Sequence, residues 1–374
     1  PAGGVIKTKS TILIIVVPIF LIALFAVNTL WNAGQFKRIS PVSLYRCTPV
    51  TGFPGPEDIV IDRTDGTALI SFTDRRAAMA GTAHYAGIIA YSLATPGAKP
   101  VRAKTDFKGA FTPHGIHRYQ APDGTKLLFA VNMGMDSHFF ESTGSSTVEI
   151  FAYRDGRLYH RETVAGPELS SPNDILAVGP RQFYVSIDHG ATSVLGKKLE
   201  NYLQLPISYI LYYDGKGFRK AAGGIAYANG IAISPDGATL YVGATVGRKV
   251  HVYARDARTG ELTARESVPL GTGVDNLDVD ADGSIWAGCH AKLLSFVAHS
   301  KNAAKRSPSE VMRIRPLEKG GFDVARVYLN DGGELSGSSA AAAWKNRLLM
   351  GAVYDERFLD CVLLPGESPI EAGR

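Results

Sequence analysis

One short phrase occurs six times along this chain, and that recurrence constrains the fold more than any other feature. In each copy an acidic, amide or imidazole residue opens an apolar strand, a turn follows, and a second apolar strand returns. The copies begin at Glu57-Asp58 (EDIVIDRTDGTALISFTD), His114 (HGIHRYQAPDGTKLLFAVN), Asn173-Asp174 (NDILAVGPRQFYVSID), Asn229 (NGIAISPDGATLYVGAT), Asp275-Asn276 (DNLDVDADGSIWAGC) and, in degenerate form, Ser338 (SSAAAAWKNRLLMGAVY). Starts are separated by about 46 to about 63 residues, the range of four-stranded propeller blades. The expected fold is therefore all-β, a six-bladed β-propeller. If each phrase opens the innermost strand of a blade, its first residue stands at one mouth of the central channel. Glu57, Asp58, His114, Asn173, Asp174, Asn229, Asp275 and Asn276 would then converge there. A single Asn or Asp at a strand end is ordinarily a turn or cap residue. Recurrence at one phase of successive repeats sets these apart. Carboxylates crowded into one tunnel repel unless a cation neutralises them, and oxygen ligands without thiolate suit a hard cation, Ca²⁺ best of the common ones.

The repeat accounts for nearly everything after about residue 45, so the chain of 374 residues reads as a leader, residues 1–40, followed by one propeller domain, 41–374. The leader contains TILIIVVPIFLIALFAVNTLW at 11–31, interrupted only by Pro18 and Asn28. At about 1.5 Å per residue a helix of this length reaches roughly 30 Å, enough to cross a bilayer. It is expected to be an uncleaved transmembrane or signal anchor, since no small-x-small cleavage site follows it; a cleaved signal peptide and a buried core helix are the alternatives. Lys7 and Lys9 flank one end and Lys37 and Arg38 the other, so charge does not set the orientation.

Cys47 stands just before the first phrase and Cys361 just after the last. A closed ring brings those ends together, so a Cys47–Cys361 bridge is expected, with two unpaired buried thiols as the alternative. Such a bridge places the domain outside the cytoplasm, or outside the cell if the leader is cleaved. The third cysteine, Cys289, ends an apolar strand and reads as a core thiol. A net charge of +5 over this length, without basic runs interleaved with aromatics, excludes nucleic acid as a partner. The densest basic piece, 299–309, reads as a solvated loop.

Asp65-Gly66, Asp123-Gly124, Asp236-Gly237 and Asp282-Gly283 separate the two strands of four phrases and are assigned as hairpin turns, not site residues. Irregular stretches at 74–85, 133–146 and 188–207 follow inner hairpins and would rim the mouth. Within them 192–205 has helical spacing of Val194, Leu195, Leu199, Tyr202, Leu203 and Leu205, which predicts a lid helix or one packed over the ring. No G-x-S-x-G, H-E-x-x-H or P-loop occurs, which removes the commonest nucleophilic, zinc and phosphate chemistries.

PEDIVI at 56–61, PHGIH at 113–117, NDILAVGPRQFYVSIDH at 173–189, ANGIAISPDG at 228–237 and VDNLDVDADGSIWAGCH at 274–290 resemble the paraoxonase/arylesterase family, over roughly residues 45–365. The resemblance implies a six-bladed propeller holding two Ca²⁺ ions that hydrolyses lactones and, more promiscuously, aryl esters. It implies that Glu57, Asn173, Asn229, Asp275 and Asn276 hold the catalytic ion. Asp58, Asp174 and the backbone carbonyl of Ile116 would hold a structural one. Residues 11–31 fit the family's hydrophobic N-terminal segment, used for membrane or lipoprotein attachment. The match departs at Met133, where the family has a second histidine, so no two-histidine relay carries over; His117, His138 and His189 are the other imidazoles nearby. The expected mechanism has Ca²⁺ polarising the ester carbonyl while His114 or a carboxylate activates water. A sugar-lactone hydrolase, a strictosidine-synthase-like propeller and a non-catalytic, calcium-stabilised binding propeller are the alternatives.

Overall fold

The computed structural model describes residues 3–82, 85–133 and 146–367, with side chains from Val16 onward. Among the described residues there are six sheets of four or five strands. Their innermost strands are Pro56–Asp62, Pro113–Gln120, Pro172–Ala177, Ala228–Ile233, Gly273–Val279 and Ser338–Trp344. Each touches the inner strand of the next blade and the sixth returns to the first, closing the ring. The six phrases thus open the six inner strands, as the repeat predicts.

Burial follows from that placement. Inner strands are packed from both sides and are buried at their starts, throughout in Pro172–Ala177 and at all but one position in Pro56–Asp62, whereas an outer strand such as Phe218–Ile225 buries only its last residue. Apolar layers fill the space between blades. Phe129, Val131 and Ile150 of blade 2 meet Ile175, Phe183 and Leu211 of blade 3. Each such side chain contributes about 1.5–3 kcal/mol. The Asp-Gly turns take the expected form: Gly66, Gly124, Gly237 and Gly283 have φ of 73°, 86°, 72° and 84°. Each preceding aspartate accepts the backbone N–H two residues on, at 2.8–3.0 Å.

Blade 6 takes its outer strand, Tyr45–Thr51, from the start of the propeller, paired antiparallel with Arg357–Leu363. Cys47 lies directly opposite Cys361 and the two form a disulfide across 314 residues. Cys289 is free and buried.

Above the ring, a helix Gly3–Asn32 exposes Ile19, Phe20, Ile22 and Leu24 and ends on the propeller. The Ala33 carbonyl accepts the Leu293 N–H at 2.9 Å, and Asn32 bonds Gln204 and Arg248 at 2.8 and 2.9 Å. Among the described residues no helix is long and apolar enough to cross a membrane. The expected lid helix forms at Val194–Tyr202, but turned over: Lys197 and Glu200 are buried while Leu195, Leu199 and Tyr202 are exposed. Backbone donors beneath it explain this. The Glu200 carboxylate accepts the N–H groups of Gly190 and Ala191 at 3.1 and 3.0 Å, and Lys197 Nζ reaches Ser171 Oγ at 3.3 Å. Residues 301–306 are solvated as expected, but both ends of the 299–309 stretch are not: Ser307, Pro308 and Ser309 are buried, and His299 and Ser300 are buried at the end of a helix, Leu293–Lys301, that the sequence pattern did not reveal.

Candidate active site

At the start of every inner strand the pairing register slips: between Pro56 and Asp58, Pro113 and Ile116, Pro172 and Ile175, Ala228 and Ile231, Val274 and Leu277, Ser338 and Ala340. A bulge bends its strand and re-aims the side chains it contains. All of the candidate side chains fall within these irregular steps. The backbones also come very close here. A Cβ on Gly115 would sit 2.4 Å from the Cα of Asp174, and one on Gly230 2.6 Å from the Cα of Asn276. The glycine of the His-Gly-Ile and Asn-Gly-Ile phrases is therefore required by the approach of the neighbouring blade.

Glu57, His114, Asn173, Asn229 and Asp275 line one cavity of about 190 Å³ at the tunnel mouth. Asn276 adjoins it by donating to Glu57 Oε1 at 2.7 Å. Glu57 Oε2 lies 3.1 Å from His114 Nδ1. Burial would raise the Glu57 carboxyl, but His114, Arg75 and Asn276 more than reverse this and hold it at about 2. Asp275 meets His290 Nε2 at 2.8 Å; burial still leaves its carboxyl above the usual range. Asn229 donates to Thr245 Oγ1 at 3.0 Å and Asn173 to Asp188 at 3.4 Å.

Asp58 and Asp174 form a second tier. Asp58 accepts the N–H groups of Ile59 and Ile116 at 2.8 and 2.7 Å, and Asp174 those of Ile175 and Ile231, both at 2.7 Å. Each carboxylate thus stitches its own blade to the next. Ile116 meets Asp58 through its N–H. Burial, then the charges of Asp174 and Glu57, raise the Asp58 carboxyl well above the ordinary range. Burial also raises that of Asp174, with Glu57 and Asp275 adding to it despite its two N–H donors.

The other imidazoles differ. His117 accepts from the Ala177 N–H at 3.3 Å and is pushed down to about 4 by burial, a link between blades. His189 is held by Asp188 at 2.6 Å and by Asn201 of the overlying helix at 3.0 Å. Met133 packs into the core between blades 2 and 3, and His138 lies outside the described residues. Sequence reasoning missed His290, which lines the cavity stacked on Phe296, and Tyr227, a lining residue at φ 63°. It also missed Arg75, whose guanidinium reaches His114 and Glu57. The three helices cover this mouth, Asn32, Asn201, Tyr202, Leu293, Phe296 and Val297 contributing to its walls.

The donor set fits a hard cation. Asn173 Oδ1, Asn229 Oδ1 and Asn276 Oδ1 are buried without a hydrogen-bond partner among the described residues, which is costly for three amide oxygens beside two carboxylates. Among the described residues no three His, Cys, Asp or Glu side chains gather as a metal group by themselves. The oxygen-rich character depends on the amides.

Fold and site together define an enzyme-like propeller with a polar centre at the tunnel mouth and a partly apolar chamber above it. The family model for arylesterase matches residues 91–363. The chain is 33% identical to serum paraoxonase/arylesterase 1 of Homo sapiens, over 86% of this chain and 90% of that one. It is 34% identical to serum paraoxonase/arylesterase 2 of Gallus gallus (87% and 91%) and to serum paraoxonase/lactonase 3 of Oryctolagus cuniculus (88% and 92%). A luciferin-regenerating enzyme shares the fold, with a TM-score of 0.51 at 12% identity, over 86% of this chain and 96% of that one. The chain belongs to the arylesterase family and is an ester hydrolase.

Proposed function

We propose that the protein is a calcium-dependent hydrolase of lactones and aryl esters. The observation that carries this is the trio of unpartnered amide oxygens, Asn173, Asn229 and Asn276, gathered with Glu57 and Asp275. Those five residues would hold one Ca²⁺, and Asp58, Asp174 and the Ile116 carbonyl a second, structural ion. When bound, the first ion supplies the positive charge that stabilises the oxyanion of ester hydrolysis. His114 or a carboxylate of the site takes the proton of the attacking water. The wall formed by Val246, Leu293, Phe296, Val297 and Val353 suits an apolar acyl or aryl group better than a sugar. Residues 11–31 attach the enzyme to a membrane, with the propeller on the oxidising side that its disulfide requires.

A panel of aliphatic lactones, aldonolactones and phenyl acetate, assayed with and without Ca²⁺, tests the reading. Calcium-dependent turnover of aliphatic lactones and phenyl acetate is expected. A preference for aldonolactones would make it a sugar-lactone hydrolase, and calcium-stabilised protein inert on every ester would make it a binding propeller.

A further inference from the structure

Charge changes sign along the chamber. The acidic residues that line it, Glu57 and Asp275, lie at its base and are 1% and 4% exposed. Its lining also includes two exposed lysines, Lys198 on the helix Val194–Tyr202 and Lys301 at the end of the helix Leu293–Lys301. The lysines that form ion pairs among the described residues are Lys37 and Lys126, so Lys198 and Lys301 face the chamber with no carboxylate of their own. Glu200, the acid on the helix of Lys198, is buried beneath it and engaged with the N–H groups of Gly190 and Ala191. Leu293, Val297 and Lys301 recur every four residues and all line the cavity. One stripe of that helix therefore runs from apolar to cationic over about 12 Å, at about 1.5 Å per residue. Across from it Thr29 Oγ1, on the N-terminal helix, is a lining group buried without a hydrogen-bond partner among the described residues.

We infer that the enzyme favours esters and lactones whose apolar chain ends in an anionic group such as a carboxylate. This rests on the lactone and aryl-ester reading above and names the substrate class of that same site. The reacting carbonyl sits among the oxygens at the base, the chain lies along Leu293 and Val297, and the distal anion meets Lys198 and Lys301. Water adds to the acyl carbon as the acyl–oxygen bond breaks, so a phenyl monoester of a diacid gives phenol, a dicarboxylate and a proton. A distal cation meets two like charges instead. Because the distal group is remote from the reacting atoms, it is held equally before and during reaction, and its effect belongs in KM rather than kcat.

Phenol release by the full-length protein in Ca²⁺ tests this, with the monophenyl ester of sebacic acid set against its ω-carboxamide, which is neutral and of the same shape. The carboxylate is expected to have a KM lower by about threefold to thirtyfold, the scale of two exposed ion pairs, at similar kcat. That preference should shrink in about 1 M salt, where screening acts beyond about 3 Å. It should vanish in the double variant Lys198→Met with Lys301→Met, and Lys198→Glu with Lys301→Glu should favour an ω-ammonium ester instead. Equal KM for carboxylate and carboxamide in wild type, with phenol released from both, overturns this inference alone. So does a preference that survives in the double variant. No phenol from either substrate, nor from phenyl acetate, overturns the reading beneath it as well. If the double variant fails to fold, the wild-type comparison at low and high salt decides.

Discussion

At Asn229 and Asp275 the proposed chemistry comes down to single oxygen atoms. Asn229 Oδ1 is buried and unpartnered among the described residues, and Asp275 is the carboxylate nearest His290. Asn229→Ala or Asp275→Ala should lower kcat on every ester by at least about 10²–10³, the scale of losing one oxyanion-stabilising group. His114→Gln leaves those oxygens in place, so a smaller fall is expected, about tenfold to a thousandfold, with calcium affinity nearly unchanged by calorimetry. Equal losses in all three variants would contradict this division of labour. The same residues show what a sequence can and cannot disclose. Asn173, Asp174, Asn229, Asp275 and Asn276 were legible because each opens a repeat whose phase fixes its height in the tunnel. Arg75 and His290 were not. Arg75 stands in an irregular stretch that no periodicity places, and it reaches His114 only because Gly55 and Val353, remote from it in sequence, accept its other amino group. His290 ends the second strand of its blade, where a histidine has no distinguishing neighbour, and Asp275 meets it only through strand pairing.

Among the elements, the inner strands matter most, because their bulged starts must sit against one another. Gly230→Ala places a methyl 2.6 Å from the backbone of Asn276, with no flexible side chain to yield. Overpacking of this kind costs about 1–3 kcal/mol. A lowered melting temperature together with loss of calcium binding is expected. A variant melting like wild type and binding calcium normally would show that the strands are not held at that spacing. Helices were harder to foresee than strands. Leu293–Lys301 is a short apolar run that periodicity cannot separate from a buried strand. Val194–Tyr202 was recognised by its spacing, but the usual rule that the apolar stripe turns inward fails there. Lys197, Glu200 and Asn201 find polar partners beneath, and the apolar stripe is left outward, above the same mouth as the exposed N-terminal helix.

For the whole molecule, the ring is closed at one seam. Cys47–Cys361 joins its two ends, and its removal by Cys47→Ser with Cys361→Ser should cost about 2–5 kcal/mol, read as a lower melting temperature. Peptide mapping should find Cys289 as the free thiol. Calcium and protons should compete for the second tier. Asp58 and Asp174 have raised folded-state pKa values, so without a cation they bind protons that the unfolded chain releases above about pH 4. Their effect on the cation-free protein is therefore destabilising as pH rises, and the proposed structural ion would relieve it. The calcium-induced rise in melting temperature should be larger at pH 8 than at pH 5.5. His117 and His251, both pushed down to about 4 by burial, titrate with or without calcium and cancel in the difference. An increment that is equal or larger at pH 5.5 would contradict this. The most direct measurement titrates Ca²⁺ into chelated protein while phenyl acetate hydrolysis and calorimetric uptake are followed together. Two ions should bind per chain, and activity should return with the affinity of one of them. Full hydrolysis by protein carrying no calcium would contradict the assignment of the tunnel oxygens.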